Sequence, residues 1–330
     1  MRVRICTYNL ENLDDKPDQS PTLAERIAIM RPQLLRLRAD ILCFQEVHGQ
    51  EHMGRKRDIS ALIDLLRETP YANFDFIAHT KTTKREAYDE RNLVVLSRFP
   101  ITYTEQIKHE YAQKPKYRKV TASPREEDSK DISWERPIFY VKIDLGGYRT
   151  LHLMTLHLKS KIPTNISGQK ESTYVWRSVQ GWAEGYFISS MKRVGQALEV
   201  RILTDRIFDE AEADGEDALV AICGDFNADS DSVPVNAIRG PVEETGNPEL
   251  SPRIMVPCEN NIPDSSRYSL LHLGRGEMLD HILVSRPLLG YFQGAEIHNE
   301  VLPDESGAFR TDVKFPESDH APVVAQFEIP

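Results

Sequence analysis

The stretch Ala218-Leu-Val-Ala-Ile-Cys-Gly-Asp-Phe-Asn227 decides the fold class of this chain. Residues 218–223 form an uninterrupted apolar run, which predicts a strand buried on both faces of a sheet. Polar groups that can bind a metal or a phosphate follow at once, namely Asp225 and Asn227. This junction of a buried strand and polar groups is the pattern that recurs along the chain.

Five more apolar runs have such a junction. In three of them the polar residues follow the strand: Val3–Tyr8 leads into Asn9-Leu-Glu11-Asn, Ile41–Phe44 into Gln45-Glu46, and Leu151–Leu156 into His157-Leu-Lys159-Ser. In the other two the polar residues come first: Asp280 begins the Ile282–Val284 strand, and Ser318-Asp319-His320 precedes Pro322–Phe327. We therefore expect one sheet end to gather eight polar side chains, which are Asn9, Glu46, His157, Asp225, Asn227, Asp280, Asp319 and His320.

The chemistry of this set predicts a cation site. Several carboxylates cannot stay ionised side by side without a compensating positive charge. The ligands are rich in oxygen and contain no thiolate, which favours Mg²⁺ or Mn²⁺ over zinc or copper. Histidines beside such an ion are suited to general acid or base catalysis.

The remaining pattern predicts helices between the strands. The first helix begins at a Thr22–Glu25 capping box and has apolar residues at helical spacing, namely Leu23, Ile27, Met30, Leu34 and Leu37. Residues 58–68 form a second helix, with Ile59, Leu62, Ile63 and Leu66 on one face. A long helix runs from about 186 to 211, carries Met191, Val194, Leu198 and Ile202 along one stripe, and ends at Asp214-Gly215. Residues 138–145 and 149–157 read as a hairpin and Leu93–Leu96 as a further strand. This alternation predicts one α/β domain over residues 1–330, with insertions near 104–136 and 160–186.

Composition excludes several classes of protein. The chain has 330 residues, and its 41 basic and 51 acidic residues give a net charge of −10, which argues against coating nucleic acid by charge alone. Apolar runs recur throughout, which excludes global disorder, and none approaches the length of a membrane span. No signal peptide begins the sequence and the four cysteines form no C-x-x-C pair, so we expect a reduced, cytoplasmic protein.

Two segments leave alternatives open. Residues 108–136 mix lysines and arginines with Tyr111, Tyr117 and Trp134, and they form either a nucleic-acid contact strip or, as acidic neighbours favour, a solvated insertion. The second segment contains Tyr174, Trp176, Trp182 and Tyr186. These rings could stack on a base or cover the site, but their spacing favours a helix face buried against the rest of the domain.

The six junctions, taken in order, resemble the endonuclease/exonuclease/phosphatase superfamily of deoxyribonuclease I and exonuclease III type, most closely its bacterial nuclease-like members. The resemblance spans residues 5–327. It implies a four-layer α/β sandwich, in which two facing mixed β-sheets are flanked by helices. It also implies hydrolysis of phosphate esters by water, assisted by Mg²⁺ or Mn²⁺.

The resemblance also implies roles for single residues. Glu46 would be the principal metal ligand, helped by Asn9 and Asp319. Asp280 would orient His320, which acts as the base or contacts the phosphate, and Asp225 would orient or deprotonate the attacking water. Asn227 would bind a phosphoryl oxygen or a second metal, and His157 would contact the phosphate or assist the leaving oxygen. Glu11 replaces the family's usual Asp and would reach the metal or support its ligands. Lys159 would contact the substrate or support the residues that do.

The sequence leaves three candidate functions. The first is a metal-dependent nuclease or phosphodiesterase with DNA or RNA as substrate. The second keeps the chemistry but acts on a small phosphoester or a lipid head group, and the third is a catalytically silent binding module. We expect no protein partner, because no heptad seam is present.

Overall fold

Two six-stranded sheets pack face to face in this computed structural model, which describes residues 1–307 and 314–330. The strands are β1 (Arg2–Leu13), β2 (Ile41–Val47), β3 (Phe76–His79), β4 (Asn92–Ser97), β5 (Ile101–Ile107), β6 (Lys116–Tyr117), β7 (Lys130–Asp131), β8 (Ile138–Asp144), β9 (Thr150–His157), β10 (Leu219–Asp225), β11 (Met255–Pro257), β12 (Leu270–His272), β13 (Arg275–Glu277), β14 (Asp280–Ser285), β15 (Phe292–Ile297) and β16 (Val323–Glu328). The helices are α1 (Leu23–Leu37), α2 (Ser60–Leu66), α3 (Val179–Asp214), α4 (Val233–Arg239), α5 (Val242–Thr245) and α6 (Arg286–Leu289).

Both sheets are mixed. The first has the strand order β15-β16-β1-β2-β4-β3, and the second has the order β11-β14-β10-β9-β8-β5. The pairs β1–β2 and β9–β10 are parallel, whereas the other neighbouring strands are antiparallel. The short ribbons β6–β7 and β12–β13 lie outside the two sheets.

The core lies in three layers of apolar side chains. Ile5 and Cys43 from the first sheet meet Leu153 and Cys223 from the second in the layer between the sheets. Helices α1 and α2 cover the outer face of the first sheet, and α3 and α4 cover that of the second. This order of helix, sheet, sheet and helix confirms the predicted four-layer sandwich. It also explains the continuous apolar runs, because the central strands are buried on both faces.

Helix α1 begins as predicted. The Thr22 hydroxyl accepts from the Glu25 backbone N–H at 3.3 Å, and the Glu25 carboxylate accepts from the Thr22 N–H at 2.7 Å. Helix α2 is shorter than expected, since it covers Ser60–Leu66, and Ile63 on its predicted apolar face is exposed. The hairpin strands β8 and β9 agree with the predicted pair.

Helix α3 departs from the prediction in its start and its buried face. It begins at Val179 rather than near 186, although it ends at Gly215 as predicted. The expected stripe is not the buried face, because Leu198 is 50% exposed and its three companions are only half-buried. The apolar side chains that are buried instead are Ala197, Val200, Leu203 and Ile207.

The rotation of α3 has a physical cause. Its sheet-facing side also carries Arg193, Gln196 and Glu199, which are buried because they bind loop groups. Gln196 donates to the Arg136 carbonyl at 2.9 Å, and Arg193 donates to the Ser160 carbonyl at 2.7 Å. Apolar periodicity cannot detect a face that polar side chains share. No helix among the described residues has both the length and the apolar character needed to cross a membrane.

Residues 104–136 pack against α3 through their aromatic side chains. Trp134 is 1% exposed and donates to Glu199 at 2.8 Å, and Tyr117 donates to Glu184 at 3.0 Å. The Glu110 and Tyr111 backbone N–H groups also bind the Glu199 carboxylate. The Trp and Tyr rings of this segment therefore anchor it to the helix, which disfavours a nucleic-acid contact strip.

Candidate active site

The polar side chains meet where the two sheets share one end. In the second sheet Asp225 ends β10, and its register partners are His157 on β9 and Asp280 on β14. The first sheet contributes Asn9 from β1 and Glu46 from β2. The expectation of a single sheet end is therefore wrong, because apolar runs do not reveal which strands share a sheet.

Direct contacts join the two sheets inside this cluster. The Asn9 amide donates to Asp225 Oδ2 at 3.1 Å. His157 Nε2 lies 3.4 Å from Glu46 Oε1 and 3.3 Å from Asp225 Oδ2. Asn9, His157 and Asp225 are each at most 3% exposed, so these contacts form in a dry environment. The carboxylate of Asp225 thus occupies the middle of the cluster.

The turn after β10 fixes this carboxylate. The Asn227 backbone N–H donates to Asp225 Oδ1 at 2.8 Å, and its side-chain amide donates to Asp225 Oδ2 at 3.0 Å and to the Leu158 carbonyl at 3.1 Å. Asn227 has φ 49°, a left-handed conformation that Asn tolerates better than most residues. Gly224 has φ 140°, and a Cβ there would collide with the Leu156 backbone. The turn therefore needs these residue types.

A second carboxylate holds an imidazole. His320 Nδ1 donates to Asp280 Oδ2 at 2.7 Å, and Asp280 is fully buried. The Ser318 hydroxyl accepts from the His320 N–H at 3.1 Å and donates to the Asn9 carbonyl at 2.7 Å. His320 Nε2 lies 4.0 Å from Asp319 Oδ1. The ring is thus fixed with Nε2 near the carboxylates of the site.

Strained backbone positions the acidic residues of the first sheet. Glu11, Asn12 and Glu46 have φ values of 45°, 50° and 59°, which are uncommon for residues other than glycine. They lie where the β1–β2 register shifts. The Asn12 N–H donates to Glu46 Oε2 at 3.0 Å, and the Asp319 N–H donates to Glu11 Oε2 at 3.2 Å. Strain of this kind concentrates at functional sites.

Burial disfavours the ionised form of three carboxyl groups at the site. Burial raises the pKa of Asp225, His320 opposes this, and Asp280 adds to it. Burial likewise raises the pKa of Asp319, with opposition from His320 and a further increase from Glu46. The pKa of Glu11 is raised by burial and by Asp319. These shifts indicate a site that a cation would stabilise.

The surroundings of the two imidazoles shift their pKa values in opposite directions. Burial opposes protonation of His320, but Asp280 and Asp225 outweigh it and raise its pKa well above the usual value. Burial lowers the pKa of His157, and the nearby Arg136 and Arg91 lower it further. The fold therefore favours protonation of His320 and disfavours that of His157.

Oxygen atoms are the groups best suited to hold an ion. Ligand atoms of Asp225, Asp280 and His320 lie within 4.8 Å of one another. Asp280 Oδ1 is buried and has no hydrogen-bond partner in the described part of the chain. His320 Nδ1 is bonded to Asp280, so only Nε2 of this ring remains for an ion. The neighbouring carboxylates fit a hard cation such as Mg²⁺ or Mn²⁺.

Two arginines of the site were missed in the sequence. Arg91 Nε lies 4.0 Å from Glu46 Oε2 and 3.3 Å from Asn12 Oδ1, and the buried Arg136 donates to the His157 carbonyl at 3.2 Å. Arg91 precedes the apolar run of β4, and Arg136 precedes that of β8. The rule that selected Asp280, a polar residue just before a strand, would have found both.

Two other residues lie outside the cluster. Lys159 Nζ donates to Ser160 Oγ at 2.6 Å and to the Ile162 carbonyl at 3.1 Å rather than to a site carboxylate. His281 forms a fully buried pair with Glu259 at 2.6 Å. The structure therefore gives Lys159 no contact with the carboxylates of the cluster, and His281 is engaged by Glu259 instead.

Comparisons with known proteins identify the family and the fold. The profile of the Endonuclease/Exonuclease/phosphatase family matches residues 6–320. Similar solved structures include a humanized TDP2 of D. rerio, with TM-score 0.56, 15% identity and 99% of both chains covered. A 3' phosphatase NExo from Neisseria, solved with a product DNA hairpin, has TM-score 0.52 and 13% identity, with 99% of this chain and 100% of that chain covered.

An AP endonuclease from Archaeoglobus fulgidus has TM-score 0.50 and 14% identity, with 99% of this chain and 100% of that chain covered. At such identities these similarities establish the fold alone. No curated protein gave a significant match.

Proposed function

The chain belongs to the endonuclease/exonuclease/phosphatase family, and from this we propose that it is a nuclease that hydrolyses DNA or RNA phosphodiester bonds with Mg²⁺ or Mn²⁺. Members of the family hydrolyse phosphate esters, so the chain is an enzyme of that class. The observation that carries the proposal is the convergence of Asp225, Glu46, His157 and the Asp280–His320 pair between two sheets. We treat residues 1–330 as one catalytic domain.

Glu46, Asn9 and Asp319 are the residues that would hold the cation. Asn9 Oδ1 accepts one hydrogen bond, from the Glu11 N–H at 3.0 Å, and retains a second lone pair. The raised pKa of Asp319 supports a nearby cation, because a positive charge would keep this carboxyl ionised. A bound Mg²⁺ or Mn²⁺ would neutralise charge on the phosphate and ease ionisation of water.

Asp225 is the group that we propose to orient and deprotonate the attacking water. Amide groups of Asn9 and Asn227 donate to its carboxylate, so its direction is fixed before the substrate arrives. Such pre-organisation removes the need to reorient the base during the reaction. Both side-chain N–H groups of Asn227 are engaged, by Asp225 and by the Leu158 carbonyl, so of its two expected roles its Oδ1 suits that of a ligand for a second metal.

His320 is the group that we propose to contact the phosphate. Asp280 holds the ring and favours its protonated form, which would present a positive charge to the oxygens on which negative charge develops during attack. His157 is proposed to contact the phosphate or assist the leaving oxygen. Arg91 and Arg136 add positive charge on the side of Glu46 and His157.

Conversion of supercoiled plasmid by the purified protein tests this function. We expect nicking in Mg²⁺ or Mn²⁺, none in EDTA, and a loss of about a thousandfold in Asp225→Ala, as expected for removal of a catalytic base. Asp144→Ala is the matched control, because Asp144 ends β8 at the sheet end opposite His157. Nicking that survives in Asp225→Ala contradicts the proposal.

A small phosphoester or a lipid head group is the second candidate substrate. It is favoured by the net charge of −10 and by the anchoring of Trp134 and Tyr117 to α3, which leaves residues 108–136 without those rings for nucleic acid. It predicts turnover of a small synthetic diester by a protein that leaves plasmid DNA and RNA intact.

A further inference from the structure

An exposed aromatic pair lies on the first half of α3. Trp182 and Tyr186 are each 43% exposed, and their rings stack with centroids 5.4 Å apart and planes 15° apart. Tyr174 in the preceding loop is 61% exposed. The expectation of a buried helix face is therefore wrong for these three residues. Adjacent exposed rings form a flat apolar surface that suits a ligand with an aromatic face.

This pair is continuous with the candidate active site. Tyr186, Ser190 and Arg193 follow Trp182 at spacings of four, four and three residues, so the four share one face of the helix. Tyr186, Ser190 and Arg193 line a cavity of about 500 Å³ together with Asn227. The aromatic pair therefore lies along a surface that leads into the turn holding Asp225.

The cations along this surface are already engaged. Arg193 donates to the Lys159 carbonyl at 3.0 Å and to the Ser160 carbonyl. Lys161 pairs with Asp229 at 2.9 Å and with Glu277 at 2.6 Å. The surface therefore offers aromatic faces next to the site rather than a track of free positive charge.

We propose that Trp182 and Tyr186 bind unpaired nucleobases beside the phosphate that is cleaved, so that the substrate is single-stranded nucleic acid or an unpaired end. This inference rests on the proposed nuclease function. Aromatic side chains stack on any base, but only where the base face is free, which excludes the interior of a duplex. Base stacking also suits a chain of net charge −10, which repels a phosphate backbone.

The double variant Trp182→Ala/Tyr186→Ala tests the inference. We expect it to raise the KM for a short single-stranded oligonucleotide by about tenfold or more, in line with the stacking of one base, with little change for methyl p-nitrophenyl phosphate. Fluorescence anisotropy in EDTA should show the same weakening of oligonucleotide binding without cleavage. Tyr148→Ala is the control, because Tyr148 is a fully exposed ring at the far turn of β8 and β9.

Several results would overturn the inference. One is an unchanged KM and anisotropy in the double variant, and another is equal loss on the small diester, which indicates a structural defect. A third is a change of oligomeric state with unaltered cleavage, since the rings would then join copies of the chain. Trp182→Phe/Tyr186→Phe retains stacking and should restore binding even if the alanine variant folds poorly. Absence of any cleavage by the wild type would instead refute the nuclease function.

Discussion

His152 is a half-buried imidazole whose surroundings disfavour its protonation. It lies on β9 opposite Lys142 of β8, and its Nδ1 accepts from the Tyr140 hydroxyl at 2.6 Å. Burial and the positive charge of Lys142 lower the pKa of His152 to about 4. The folded state therefore binds a proton on this ring less readily than the unfolded chain does.

This difference predicts a loss of stability in acid. Between pH 6.5 and about 4 the unfolded chain protonates His152 and the folded protein does not, so the free energy of unfolding falls as pH is lowered. Above pH 6.5 the contribution is constant. We expect His152→Gln to remove on the order of 2–3 kcal/mol of this decline, measured by urea unfolding at pH 7 and pH 4. An equal pH dependence in the variant and the wild type would refute the assignment.

At the scale of elements, two glycines with positive φ have different surroundings. Gly224 has φ 140° on β10, where a Cβ would meet the Leu156 backbone, whereas Gly215 has φ 71° at the end of α3 and faces open space. We expect Gly215→Ala to cost about 1 kcal/mol, as is usual at a helix C-terminus. Gly224→Ala should cost about 3 kcal/mol or more, because both strain and collision act there.

Thermal and urea unfolding of the two variants measure this difference. Gly224→Ala should also lose catalysis, because β10 would shift and carry Asp225 with it, whereas Gly215→Ala should retain it. Equal destabilisation by the two substitutions would show that the approach of β9 to β10 is looser than the structure indicates.

The central elements could be predicted from the sequence because burial on both faces leaves a continuous apolar run. Strand β10 is an example. The start of α1 could be predicted for a different reason, because the Thr22–Glu25 capping box is a local sequence signal. Strand β5 was not predicted, because it lies at a sheet edge and is largely exposed. The face of α3 was wrong because Arg193 and Glu199 are buried on it for their hydrogen bonds, which periodicity does not register.

The candidate site could be predicted in its residues but not in its assembly. Each of Asn9, Glu46 and Asp225 adjoins an apolar run, so the sequence marks it. The pairing of two sheets across the Asn9–Asp225 contact depends on tertiary packing, which no local pattern encodes. Lys159 also follows the pattern, yet its short bond to Ser160 takes it away from the carboxylates.

At the scale of the whole molecule, a cation bound by the carboxylate cluster would contact both sheets and so stabilise their packing. Mg²⁺ or Mn²⁺ in large excess should raise the Tm by about 3–6 °C relative to EDTA, because a ligand of the folded state alone stabilises it by mass action. Glu46→Gln should reduce this rise, whereas Glu243→Gln, an exposed residue of α5, should keep it. Differential scanning calorimetry measures both, and an equal rise in the two variants would argue against an ion at Glu46.

The pairing of β1 with β16 also has a consequence for synthesis on the ribosome. Arg4 leaves the ribosome before Gln326, its partner in the sheet, which follows 322 residues later. Asp319 and His320 immediately precede β16, so they too follow the other residues of the candidate site. The candidate site therefore stays incomplete in a growing chain until these two residues have been made.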